Sequence, residues 1–75
     1  MADRDRVARH VEAAEAHEEA AARHDEAARF WSERGDDTRA DLERRNAVIE
    51  REAARLERDR AAVEASSRAD RQPEP

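Results

Sequence analysis

Two ladders with a period of seven stand on either side of a single glycine. In the first half, H-x-E-A-A recurs at His10, His17 and His24, and Trp31 takes the place where a fourth histidine would fall. In the second half, A-x-aliphatic-E recurs four times, at residues 40–43, 47–50, 54–57 and 61–64. Seven residues are nearly two turns of α-helix, so each ladder keeps to one helical face. Few strands are built from so little Val, Ile, Tyr and Thr. The chain is therefore expected to be all-α.

Turn chemistry sets the boundaries. Gly35 is the only glycine and lies near the middle of the 75 residues, in E-R-G-D-D-T. Glycine reaches the left-handed conformation at little cost and commonly stands just past a helix end. Asp36 suits the N-cap of a second helix and Asp37 its first turn; Thr38 with Asp41 offers an alternative capping box. The expected architecture is one antiparallel two-helix hairpin over residues 1–70. Helix 1 should run over about 3–34, the turn over about 35–36 and helix 2 over about 37–69. Gln72-Pro73-Glu74-Pro75 cannot continue a helix, so 71–75 is expected to be a disordered tail.

In an antiparallel hairpin, the numbers of facing residues add to a constant. Trp31 with Leu42, His24 with Ile49, His17 with Leu56 and His10 with Val63 all add to 73, which puts the pivot at the turn. This register sets the histidine ladder against the aliphatic stripe. Ala14, Ala21 and Ala28 then fall between the histidine layers. Ala53 lies between two aliphatics, with Asn46 and Arg60 at the equivalent positions of a heptad seam. Ala47, Ala54 and Ala61, with Val11 and Val48, read as a second and weaker apolar edge. So small a hairpin is marginal by itself. Two copies are expected to pair as a homodimer, a four-helix bundle that buries both edges.

Composition excludes much else. There is no cysteine, hence no disulfide, thiolate chemistry or cysteine-based zinc site. Apolar runs are too short to span a membrane, and MADRDRVARH lacks the hydrophobic stretch of a signal peptide. A soluble cytoplasmic protein is expected. No nucleophile sits beside a base, no glycine-rich loop could cradle phosphate, and two helices offer no pocket to desolvate a substrate. Neither an enzyme, a cofactor nor a small-molecule substrate is expected. Of the residues, 47% are charged, and the formal net charge is −5.

Three groups could still carry function. Two metal ligands on one helix want i,i+3 or i,i+4 spacing, but those neighbours of each histidine are alanines, and successive histidines stand about 10.5 Å apart along the axis. The expected role of the histidines is in the seam, hydrogen-bonded to Glu50, Glu57 or Glu64. A pH-responsive seam is the functional alternative, because histidine changes charge near neutrality. Phe30 and Trp31 read as a plug at the turn end, or Phe30 as an anchor for a partner. Arg44, Arg51, Arg55 and Arg58 share a face of helix 2 and could contact a partner. Nucleic acid is not favoured, because acids balance the arginines and i,i+4 pairs such as Asp41–Arg45 and Glu19–Arg23 make a solvated face.

All fifteen cationic residues are arginine. With the A-x-x-H of residues 21–24 and the F-W-x-E-x-G-D of residues 30–36, the chain resembles small Ala/Arg-rich helical-hairpin proteins of actinobacterial type. The resemblance implies a hairpin and carries no activity. The sequence thus leads to a self-associating interaction or structural module, partnered by itself or by another helical protein. The alternative is an adaptor or regulator docking on a larger complex; a His-dependent metal- or pH-responsive protein is the weaker third.

Overall fold

The computed structural model describes residues 2–70, with side chains described for 5–67. Helix α1 spans Ala2–Glu33 and α2 spans Asp37–Asp70; they pack against each other as a hairpin. Residues 71–75, expected as a tail, lie outside the described residues.

The turn is built by backbone groups. Gly35 takes φ +76°, which reverses the chain beyond the last turn of α1. Its N–H donates to the Ser32 carbonyl (3.0 Å), and the Asp36 N–H donates to the Trp31 carbonyl (2.9 Å). These two bonds satisfy carbonyls that α1 would otherwise leave without a partner, the arrangement of a Schellman motif. Asp36 then caps α2: its Oδ1 accepts from the Arg39 N–H at 3.0 Å, and its carbonyl accepts the first helical bond, from Ala40. Asp36 therefore takes the N-cap role, ahead of Thr38.

The core is made of alanine. Ala14, Ala21 and Ala28 of α1 and Ala40, Ala47, Ala54 and Ala61 of α2 are at most 8% exposed, and they are the buried apolar residues among those described. Cross-helix pairs give the register. On one flank, the numbers of His10–Glu57, His17–Glu50 and His24–Glu43 add to 67. On the other, those of Glu18–Arg58 and Asp25–Arg51 add to 76. The helices are level midway between these values. Ala14 thus lies between Ala54 and Ala61, Ala21 between Ala47 and Ala54, and Ala28 between Ala40 and Ala47. The two rows interleave, and methyl groups alone separate the backbones.

This overturns the expected register. Leu42, Ile49, Leu56 and Val63 are not buried against the histidines; they are 51%, 59%, 50% and 64% exposed, and Leu56 and Val63 line an open groove with His10. Each stands two residues after a seam alanine, hence 200° around α2, on its back. Of the edge read as secondary, Ala47, Ala54 and Ala61 close the hairpin, whereas Val11 is half-buried and Val48 is 52% exposed. The physical reason is polar satisfaction. Turning α2 to present alanine lets the backbones approach closely and brings a glutamate within 2.6–3.2 Å of each partly covered histidine.

Two substitutions check this core. Gly35→Ala meets open space, so its cost is the left-handed backbone alone, about 1–2 kcal/mol. Ala21→Leu forces a larger side chain between Ala47 and Ala54 and should cost about 1–3 kcal/mol or more. Thermal melts followed by circular dichroism should show both losses; an unchanged melt for Ala21→Leu would contradict the alanine seam.

Candidate interaction surface

The seam carries a strip of cross-helix polar pairs along each flank. On the first, each histidine stands four residues before or three after a seam alanine, which turns its ring toward α2. Nδ1–H donates to Glu57 Oε2 from His10 (2.6 Å), to Glu50 Oε2 from His17 (3.2 Å) and to Glu43 Oε2 from His24 (2.7 Å). Glu50 and Glu57 are among the acceptors expected from sequence; Glu43 completes the set in place of Glu64. A neutral imidazole with its proton on Nδ1 and a charged imidazolium can both donate this bond. Glu57 also accepts from Arg60 Nη1 at 2.5 Å. The bonds from His10 and Arg60, in that order, hold its carboxyl below the ordinary value of 4.5.

On the second flank, Arg58 donates to Glu18 (2.7 Å) and Arg51 to Asp25. The bond to Glu18 pushes the Arg58 guanidinium above its usual value. Of the four arginines singled out in helix 2, these two tie α2 to α1. Arg44 and Arg55 are exposed, and Arg55 lines an open groove with Glu18, Arg51, Ala54 and Arg58. The Asp41–Arg45 (2.7 Å) and Glu19–Arg23 (3.8 Å) pairs form along their own helices, and both are largely exposed.

The aromatic pair sits by the turn. Phe30 and Trp31 meet edge to face, with centroids 5.0 Å apart at 87°. The Arg34 guanidinium lies 3.4 Å from the Phe30 ring centre and Arg39 lies 4.7 Å from that of Trp31, favourable cation–π positions. Trp31 is half-buried beside the turn that its carbonyl helps to close, while Phe30 is 45% exposed.

The remaining feature is the back of α2. Leu42, Ile49, Leu56 and Val63 alternate with Asn46, Ala53 and Arg60 at spacings of four and three, the a/d pattern of a heptad seam. Ala53 is half-buried, and Asn46 and Arg60 are exposed. The pattern expected at the hairpin seam is present, but it faces away from α1. The back of α1 differs: the positions two after its seam alanines are Ala16, Arg23 and Phe30, flanked by Glu12, Glu19 and Glu26.

Among the described residues, no cluster of three or more histidine, aspartate or glutamate side chains could hold a metal ion, and no helix is long and apolar enough to cross a membrane. Comparison of the chain with protein-family models, curated proteins and solved structures finds no match.

The flanks predict a pH profile. A carboxyl held below its ordinary value stabilises the fold above about 4.5 and loses that contribution as pH falls through its folded value. Stability should therefore fall as pH drops below about 4.5. Glu57→Gln should flatten this acid limb in a melting series. An acid limb that Glu57→Gln leaves unchanged would contradict this role of Glu57.

Proposed function

We propose that the chain is a non-enzymatic, self-associating interaction or structural module, in which two hairpins join into a four-helix assembly. The observation that carries this reading is the aliphatic stripe: four large apolar side chains in one line, each at least half exposed. Isolated exposed apolar residues are ordinary, but a continuous line along a helix marks a contact surface. The hairpin's own core argues the same way. Seven buried alanines remove little apolar area from water, at about 0.8 kcal/mol per methyl-sized group. A chain this small usually needs a disulfide, a metal or a partner, and it has no cysteine.

A non-enzymatic role fits the surface. The grooves are open and lined by exposed side chains, such as Asp37, Thr38, Asp41, Leu42 and Arg45 beside the turn, and an open groove does not desolvate a substrate. The histidines already have carboxylate partners, so their chemistry is spent on closing the hairpin.

Sedimentation of the purified chain at tens of micromolar should give a dimer that melts cooperatively. Ile49→Glu should convert it to a monomer, because a charge would enter the contact. A well-folded wild-type monomer at this concentration would contradict self-association. A monomer only partly helical until a foreign helical protein is added would favour the adaptor reading.

A further inference from the structure

Resting on the self-association just proposed, we infer that the second copy packs edge-on against the back of α2. The four helices then form an extended layer in the order α1–α2–α2′–α1′, rather than a closed square bundle. The placement of the stripe decides this. In a closed bundle, each helix turns toward the common axis the face that lies between its hairpin neighbour and the opposing hairpin. On this hairpin that face carries either the His10–Glu57, His17–Glu50 and His24–Glu43 pairs or, on the other flank, the Arg58–Glu18 and Arg51–Asp25 pairs. Closing a bundle on it would bury charged pairs, whose desolvation is costly, and would leave Leu42, Ile49, Leu56 and Val63 in water. The stripe lies 160° from the alanine seam by the shorter way round, so a helix that covers it must stand on the far side of α2 from α1.

The occupant is a second copy because the surface matches one in length and in number of edges. The stripe runs over residues 42–63, about 32 Å of helix. Pairing it with an equal helix buries on the order of 500–700 Å² from each chain, around the lower bound for a stable specific interface. The back of α2 is the aliphatic edge; the back of α1 carries Ala16, Arg23 and, beside the turn, Phe30, among Glu12, Glu19 and Glu26. One apolar edge used by two copies makes an isologous contact that closes at a dimer, whereas two unlike complementary edges would open a filament. Ala53, small and central in the line, lets the two α2 helices approach closely.

The test uses spin labels on the full chain, which has no native cysteine. Glu19→Cys places a label on the back of α1 and Glu52→Cys places one beside the α2 stripe; both positions are exposed. With helix axes about 8–10 Å apart, the layer sets the two Glu52→Cys labels within about 20 Å of each other. It sets the two Glu19→Cys labels beyond about 35 Å, three helix spacings plus the reach of the labels. Pulsed electron–electron dipolar spectroscopy on each dimer should return that short and that long distance. Two similar distances would establish a closed bundle, and a reversed order would establish contact through α1. Either result overturns the layer while leaving self-association intact. The absence of any intermolecular distance, with sedimentation as a monomer, would overturn self-association itself.

Discussion

The contact of alanine methyls between α1 and α2 is the constraint on which the rest of the hairpin depends. Side chains this small let the helices approach until their flanking groups touch. The imidazoles of α1 then reach the glutamates of α2 at 2.6–3.2 Å, and Arg58 reaches Glu18 at 2.7 Å. A larger residue at Ala14, Ala21 or Ala28 would separate the axes and lengthen every one of these bonds together. The tight turn follows the same logic: Trp31, Gly35 and Asp36 close it through backbone bonds, which suits helices that come close at once.

The four-residue repeat of α2 divides three tasks among its members. Alanine meets α1, glutamate one residue after the aliphatic accepts from a histidine, and the aliphatic itself turns to the outside. Ordinary globular proteins bury their largest apolar side chains first. Here the smallest are buried within the chain, and the larger ones are displayed along one edge. That inversion leaves the hairpin with little driving force of its own; in the self-association proposed above, folding and association would be linked through mass action.

Much of the fold was legible from residue order. The period of seven marked the helices, Gly35 marked the reversal and Asp36 the cap; the helix limits moved by only a residue. The rotation of α2 was not legible from periodicity, because a period identifies a face without saying which neighbour it meets. Alanine is also the best helix former, so its heptad spacing reads as filler beside Leu42 or Ile49, and size misdirects the choice. The signal that fixes the rotation is polar satisfaction. Glu43, Glu50 and Glu57 reach the three partly covered histidines when α2 presents its alanines to α1. The Arg51–Asp25 and Arg58–Glu18 pairs join different helices, so spacing along one helix could not reveal them.

The alanine seam and its rotation stand or fall on which methyls touch across the hairpin. Nuclear Overhauser spectroscopy on chain labelled at alanine, leucine, isoleucine and valine methyls, mixed with unlabelled chain so that contacts within one hairpin are read apart from any between copies, reads this directly. Contacts from the Ala21 methyl to those of Ala47 and Ala54, and from Ala14 to Ala54 and Ala61, are the expected result. Contacts from the Ile49 and Leu56 methyls to the rings of His24 and His17 would mean that the aliphatic stripe faces α1, and would contradict the account.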